Sequence, residues 1–235
     1  MEHDSPQAYY LFSPFLRIFH WVMFVATVVL FVTGLYIGNP FFIGSQGLEP
    51  TFAFNKVLSM EYMRYVHFIT AWILVVSFIF RIYGWIINRG DRLLPKVWKK
   101  AYWQGMKDVT FHYLFIASTH RPYLRNSLAR SSYIGLYGMM LVVILTGFAL
   151  YYQIEPNTFR AKLFNWIIPL FGSEYAVRLV HHIFAWLIML FAIVHIYMAI
   201  RADAMEKEGE ISSMFSGIKY VHPPEDIEDI EVCKK

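Results

Sequence analysis

Three histidines lie within one apolar segment that is long enough to cross a lipid bilayer. The segment runs from Val177 to Arg201 and contains His181, His182 and His195. An ionisable side chain in hydrocarbon is costly unless it faces a cavity, a partner or a metal, so such residues point to a functional site. The alternative is that a buried histidine only bonds a neighbouring carbonyl group.

The spacing of these histidines selects one pair. At about 100° per residue, His181 and His195 project within about 40° of each other, whereas His182 points about 140° away from His195. At about 1.5 Å per residue, His181 and His195 are also roughly 21 Å apart along the helix. That distance is too large for one shared metal ion, so the pattern predicts ligands of two stacked cofactors.

The composition is that of a membrane protein. The 235 residues are 57% hydrophobic and 16% charged, with a mean hydropathy of +0.41. The net charge of +4 is not accompanied by a nucleic-acid-binding motif. The chain has one cysteine, Cys233, which excludes internal disulfides, thiolate-bound iron–sulfur clusters and covalent haem attachment through C-x-x-C-H. Any haem must therefore be held by histidine.

Four apolar segments predict an all-α, integral membrane four-helix bundle. The first segment is interpreted as a retained span, because no small-residue cleavage site of a signal peptide follows it. We find no internal repeat and no second globular domain. The predicted spans are residues 15–37, 65–87, 132–152 and 177–200, within a membrane domain over 15–201 that is preceded by an N-terminal segment over 1–14 and followed by an acidic tail over 202–235.

The chain outside these spans is predicted to be polar or interfacial. Residues 1–13 are expected to be irregular, and the run after Pro223 is expected to be mobile. The loop over 88–130 is expected to contain a partly helical segment, and residues 161–172 are too short and proline-interrupted to cross the bilayer. Arg81 lies near the end of the second span, where its side chain is expected to snorkel toward water.

Charge in the loops predicts the orientation and the pairing of the histidines. The loop over 88–130 holds nine lysines and arginines, so it and both termini are expected to be cytoplasmic. His20 and His195 then lie toward the cytoplasmic side, and His67 and His181 lie toward the outer side. These four histidines are predicted to be the axial iron ligands of two haems b at two depths.

Three of the four histidines follow an arginine by three residues, which places both side chains on one helix face. The arginines are Arg17, Arg64 and Arg178. Because arginine binds carboxylates with two parallel hydrogen bonds, these residues are candidate partners of haem propionates. The alternative is that they only mark the membrane boundaries.

At these residues the chain resembles the b-type cytochrome subunit of membrane-bound nickel–iron hydrogenases. The first span, from Arg17 to Gly34, reads R-I-F-H-W-V-M-F-V-A-T-V-V-L-F-V-T-G, similar to the family pattern R-x-x-H-W...L-x-x-T-G. The fourth span, from Arg178 to His195, reads R-L-V-H-H-I-F-A-W-L-I-M-L-F-A-I-V-H, similar to a second family pattern. Leu179 departs from it, since the family usually has a small residue there. The resemblance covers the four spans and implies two haems b with the same ligand pairs.

The resemblance also implies partners and a role. It implies a small iron–sulfur subunit and a large nickel–iron subunit on the outer face of the cytoplasmic (inner) membrane, with electrons passing inward to a quinone. The chain would then be an electron-transfer subunit without catalytic residues, because hydrogen splitting belongs to the partners. The family's N-P-L-A-Q run is N-S-L-A-R here, from Asn126 to Arg130. Asn126 is therefore a candidate quinone residue or, alternatively, a helix cap.

Other functions remain open at this stage. The cytochrome subunit of formate dehydrogenase, or of another quinone-linked oxidoreductase, would have the same plan. A small transporter or proton path would need acidic partners, but the four spans contain no aspartate or glutamate. A passive anchor would not need four positioned histidines. Of the remaining histidines, His112 and His120 are expected to be solvated or interfacial, and His182 is expected to face a neighbouring helix or carbonyl.

Overall fold

The computed structural model of the protein describes residues 7–38, 59–87, 95–114, 116 and 127–221. Within these ranges most residues are helical, which confirms the predicted all-α class apart from one small sheet. The elements in chain order are β1 (Gln7–Tyr10), α1 (Pro14–Gly38), α2 (Met60–Ile87), α3 (Lys100–Tyr113), α4 (Ser127–Tyr151), a 3-10 turn (Tyr152–Ile154), α5 (Phe159–Lys162), α6 (Ile167–Phe171), α7 (Glu174–Glu206), α8 (Glu210–Ser216) and β2 (Ile218–Val221).

Four helices in the described part of the chain are long and apolar enough to cross a membrane: α1, α2, α4 with its 3-10 turn, and α7. Each contains one of the predicted spans. At most 22% of the most apolar stretch of any of them is buried within the protein, so most of these side chains are available to lipid. The helices begin at residues suited to helix ends. Pro14 opens α1, and the Ser173 hydroxyl accepts the Ala176 N–H at 3.2 Å at the start of α7.

The chain divides into two compact units, and Ile18–Gly84 is the smaller of them. In this unit α1 and α2 run antiparallel. The rings of Phe19 and Phe80 stack near one end with their centroids 5.4 Å apart. Near the other end, Thr33 contacts His67.

The other unit combines Met1–Arg17 with Trp85–Lys235. Here α4 packs against α7, and the C-terminal end of α4 and the N-terminal end of α7 are joined to α6 through the buried side chains of Ala149, Ile167 and Val177. Helix α3 lies against the start of α4, where the Tyr102 hydroxyl donates to the Ser127 carbonyl at 3.2 Å. Helix α3 confirms that the 88–130 loop contains a helical segment.

The prediction of an irregular N-terminal segment is wrong for residues 7–10. Helix α7 continues to Glu206, the chain reverses through Lys207 and Gly209, and β2 pairs antiparallel with β1, with Gln7 opposite Val221. Both reversing residues have left-handed φ angles, 55° and 74°. The strands lie at opposite ends of the chain, so a local sequence pattern does not reveal their pairing. The run after Pro223 lies outside the described residues.

The expectation that the chain has no internal repeat is also wrong. Residues 64–72 of α2 read R-Y-V-H-F-I-T-A-W and residues 178–186 of α7 read R-L-V-H-H-I-F-A-W, so six of nine positions are identical. Helices α1 and α4 each have 25 residues and each carry a threonine followed by glycine at matching positions.

Candidate haem-binding site

The imidazole of His67 is oriented by a threonine of α1. His67 Nδ1 lies 2.9 Å from Thr33 Oγ1, and the same oxygen lies 2.7 Å from the Val29 carbonyl oxygen. A hydroxyl has one hydrogen and a carbonyl oxygen can only accept, so the Thr33 hydroxyl donates to Val29 and accepts from His67 Nδ1–H. In the neutral ring the lone pair is therefore on Nε2, which is the nitrogen that could bind a metal in this tautomer.

The imidazole of His181 has the same surroundings in the other unit. His181 Nδ1 lies 3.0 Å from Thr146 Oγ1, which lies 2.6 Å from the Val142 carbonyl oxygen. By the same argument Nδ1 carries the proton and Nε2 keeps the lone pair. Both threonines are buried, so these two hydrogen bonds are shielded from competition by water.

A glycine next to each threonine gives the imidazole room. A Cβ atom on Gly34 would lie 3.4 Å from His67 Cε1, and one on Gly147 would lie 3.3 Å from His181 Cε1. The rings thus lie directly against the backbone of α1 and α4. Any side chain larger than alanine at these two positions would have to displace a ring.

These surroundings fit an axial ligand of a haem iron. Histidines that bind metals almost always donate their second ring N–H to a fixed acceptor, which orients the ring and raises its basicity. His67 and His181 each have that acceptor and each keep Nε2 for the iron. Sequence reasoning did not assign a role to Thr33 or Thr146 and did not connect Gly34 or Gly147 with a histidine. The signal that could have found them is the repeated threonine–glycine pair in the first and third spans.

The other two predicted ligands lie among aromatic rings. His20 contacts Trp21 edge to face, with the centroids 5.3 Å apart. His195 is exposed, and the Phe191 ring lies almost parallel to it at 5.8 Å. His20 follows Phe19, whose ring stacks on Phe80, so Arg81 lies close to the depth of His20. Arg81 is only 5% exposed, which corrects the expectation that it snorkels.

The two predicted histidine pairs differ in how their positions are related by the internal repeat. His67 and His181 occupy equivalent positions in the two halves. The position of His195, fourteen residues after His181, is held in α2 by Arg81, fourteen residues after His67. At this position of the repeat α7 therefore has a histidine, whereas α2 has a buried cation.

The predicted arginines have distinct surroundings. The Arg17 guanidinium donates to the Phe215 carbonyl oxygen, and Arg64 is exposed. Arg178 is exposed and forms an ion pair with Glu174 at 2.7 Å, so a propionate would compete with that carboxylate. Asn126 and His120 lie outside the described residues.

Two further histidines differ from their predicted surroundings. His112 is buried in α3 rather than solvated. Its carbonyl oxygen lies 3.4 Å from an Arg201 nitrogen, and the Arg201 guanidinium lies 5.3 Å from the centre of the Tyr113 ring. His182 is exposed rather than packed against a neighbouring helix.

Replacing Thr33 or Thr146 by valine should raise the reduction potential of a haem bound by the neighbouring histidine. Valine keeps the shape but removes the acceptor, so the imidazole becomes less basic and stabilises oxidised iron less. A hydrogen bond worth about 0.5–1.5 kcal/mol corresponds to roughly 20–65 mV for one electron. Redox titration followed in the visible spectrum measures this shift, and Thr27→Val, in the same helix, is the control. If Thr33→Val and Thr146→Val have the same haem potentials as the control Thr27→Val, the assigned hydrogen bonds are contradicted.

Comparison with known proteins gives the family. Residues 11–217 match the family described as prokaryotic cytochrome b561. The chain is 36% identical over 222 residues to the probable Ni/Fe-hydrogenase B-type cytochrome subunit of Cupriavidus necator, covering 92% of this chain and 88% of that protein. It is 33% identical over 224 residues to the probable Ni/Fe-hydrogenase 1 B-type cytochrome subunit of Escherichia coli K12, covering 92% of each chain. The probable subunit of Azotobacter vinelandii is 33% identical over 216 residues, with coverage of 89% and 88%.

These matches confirm the resemblance inferred from the first and fourth spans, and they extend over all four predicted histidine ligands. A b-type cytochrome holds haem b without covalent linkage, in agreement with the single cysteine. By sequence and by its four apolar helices, the chain belongs to the prokaryotic cytochrome b561 family and is a multi-pass membrane cytochrome of the b type.

Proposed function

We propose that the chain is the membrane subunit that carries electrons from a Ni/Fe-hydrogenase to a quinone. The observation that carries the proposal is the matched setting of His67 and His181, each oriented through Nδ1 by a buried threonine of a neighbouring helix. The names of the relatives favour hydrogenase over formate dehydrogenase as the source of electrons. When bound, haem b would supply one-electron transfer, and an iron held by two of these histidines would have no position left for oxygen or another substrate.

The geometry of α7 supports two haems rather than one. This helix is continuous from Glu174 to Glu206, so His181 and His195 lie on one rod about 21 Å apart. Each of these histidines needs a second histidine to bind an iron. The membrane topology predicted from the sequence favours His67 for His181 and His20 for His195. The two sites together would extend across much of a hydrocarbon core about 30 Å thick.

The protein's own residues hold the ligands in place before the cofactor binds. The threonine hydrogen bonds set the imidazole tautomer, and the glycines let the rings lie against the helix backbone. The same arrangement argues against a proton path, because the Nδ1 proton of His67 and of His181 is already held by a buried oxygen.

Arginines would balance the negative charge of the haem propionates. Arg17, Arg64 and Arg178 remain candidates by their spacing from the ligands. Arg81 joins them, because it is a buried cation near the depth of His20. A buried guanidinium binds a carboxylate more strongly than an exposed one does, since water competes less.

The orientation follows from the basic loop over 88–130, which we place in the cytoplasm together with both termini. The small iron–sulfur and large nickel–iron subunits would then dock on the outer face of the inner membrane, near His67 and His181. The quinone would bind near His20 and His195 on the cytoplasmic side, where Asn126 is a candidate contact.

Quantifying haem in the purified protein tests this proposal. We expect about two haems b per chain in the pyridine haemochrome assay, consistent with two pairs of axial histidines. In membranes that contain the hydrogenase, hydrogen should reduce the cytochrome and added quinone should reoxidise it. A folded preparation without haem would contradict electron transfer. Haem reduced by dithionite but never by hydrogen would contradict the hydrogenase partner.

A further inference from the structure

The two ends of the chain form one compact element. Residues 7–13 and 207–221 comprise β1, α8, β2 and their short connections, and we call this element the terminal cap. Besides the pairing of β1 with β2, the Leu11 and Phe12 N–H groups both donate to the Gly217 carbonyl oxygen, at 2.8 and 3.3 Å. The N-terminal segment is therefore bonded to the turn between α8 and β2.

Gly217 is the closest point of contact within the terminal cap. Its φ angle is +86°, a left-handed conformation that L side chains rarely adopt. A Cβ atom there would lie 2.8 Å from the Phe12 carbonyl oxygen and 2.8 Å from Tyr10 Cε2. The cap therefore closes only with glycine at this position.

A buried ion cluster joins β2 to the end of α7. Lys219 Nζ lies 3.0 Å from Glu208 Oε2 and 2.5 Å from Glu210 Oε1, and the lysine side chain is only 5% exposed. The Tyr220 N–H also donates to the Glu208 carbonyl oxygen at 2.9 Å. Removing the lysine would leave two carboxylates close together with no cation between them.

Lys219 stays charged at any physiological pH. Burial alone lowers its pKa, but Glu210 and Glu208 outweigh burial and raise the pKa above the ordinary value of 10.5. Because the folded pKa is raised, the stabilisation from this lysine is present at lower pH and is lost only as the pH rises through the folded pKa. The ion cluster is thus a permanent connection under cellular conditions.

The terminal cap is also bonded to the first turn of α1. The Arg17 guanidinium donates to the Phe215 carbonyl oxygen, and a Cβ on Gly217 would lie 3.4 Å from Arg17 Cζ. Arg17 precedes His20 by three residues, and α7 enters the cap eleven residues after His195. The cap therefore contacts both helices that carry the predicted cytoplasmic pair, at their cytoplasmic ends.

We propose that the terminal cap is a positioning element for the cytoplasmic haem, because it connects the first turn of α1, the helix that carries His20, to the end of α7, the helix that carries His195. This inference rests on the proposed two-haem function. Two imidazoles bind one iron only if their helices are held at a fixed separation, and loosely supported ligands give weak sites. The outer pair has its own support from the threonine–glycine contacts, so a loosened cap selectively weakens the cytoplasmic haem.

Two substitutions are expected to disrupt the terminal cap, each through a different contact. Lys219→Met removes the cation of the buried cluster, and Gly217→Ala places a methyl group against the Phe12 carbonyl. Lys207→Met is the control for the charge, since Lys207 is an exposed lysine of the same segment. Gly172→Ala is the control for backbone strain, since Gly172 has a φ of +84° but nothing within 4 Å of its Cβ position.

The readouts are haem per purified chain and a redox titration that separates the two haems. We expect both cap variants to fall from about two haems to about one, with the potential of the remaining haem equal to that of the outer haem in the unaltered protein. Both controls should keep two haems and both potentials. The retained outer haem shows that the bundle is still folded.

The other possible results distinguish a failure of the proposed two-haem function from a failure of the proposed role of the terminal cap. Fewer than two haems in the unaltered protein would contradict the two-haem function itself. Two haems in the unaltered protein, with both haems and both potentials unchanged in the cap variants, would overturn the role of the cap alone. Equal loss of both haems would also overturn it, because the cap would then support the whole fold rather than one site.

Discussion

Replacing His181 by leucine is expected to remove one of the two haems and to abolish hydrogen-dependent quinone reduction. Leucine keeps the segment apolar, so insertion and helix packing should survive, but the proposed outer haem would lose one of its two histidine ligands. Haem per chain should fall from about two to about one in the pyridine haemochrome assay.

His182→Leu is the matched control for His181→Leu. It removes the adjacent imidazole from the same helix turn, and His182 is exposed and points away from the face that His181 shares with His195. This control should keep both haems and full electron transfer. Two haems in His181→Leu, or one haem in His182→Leu, would contradict the ligand assignment.

The same approach tests the pairing of the ligands. His67→Leu should leave the same spectrum and potential as His181→Leu, since both would lose the outer haem. His20→Leu and His195→Leu should share the other spectrum and potential. Four different residual spectra would contradict the two pairs, whatever the total haem content.

The four spans could be predicted from the sequence because they depend on a local property, and the four histidines could be selected as candidate ligands for the same reason. Hydrophobic length fixes a membrane helix, and a histidine in such a helix stands out against apolar neighbours. The support around His67 and His181 could not be predicted in the same way. Thr33 and Thr146 are unremarkable in an apolar segment, and their importance comes from contacts made across more than thirty residues of chain.

The terminal cap and the internal repeat escaped prediction for different physical reasons. β1 and β2 are four residues each and pair across nearly the whole chain, so neither has a strong local signal. The clearest part of the repeat covers only nine residues of α2 and α7, of which six are identical. His112, a polar residue in a charged loop, was expected to be solvated or interfacial, and it is buried in α3 rather than solvated.

Replacing Gly147 by valine is expected to remove the outer haem as completely as His181→Leu does, although no ligand is changed. A Cβ at this position lies 3.3 Å from His181 Cε1, and the two methyl groups of valine extend into the ring. The imidazole must rotate away, which breaks its bond to Thr146 and turns Nε2 from the iron. Gly147→Ala should keep the haem with a shifted potential, since the ring needs to move by only a few tenths of an ångström.

Gly138→Val in the same helix is the matched control for Gly147→Val, because nothing lies within 4 Å of a Cβ at Gly138. Gly34→Val makes the same test on His67, where the corresponding distance is 3.4 Å. If His67 and His181 ligate one iron, Gly34→Val and Gly147→Val must lose the same haem and leave the same potential. Loss of different haems would show that the two halves of the repeat serve separate sites, and the pairing of His67 with His181 would have to be abandoned.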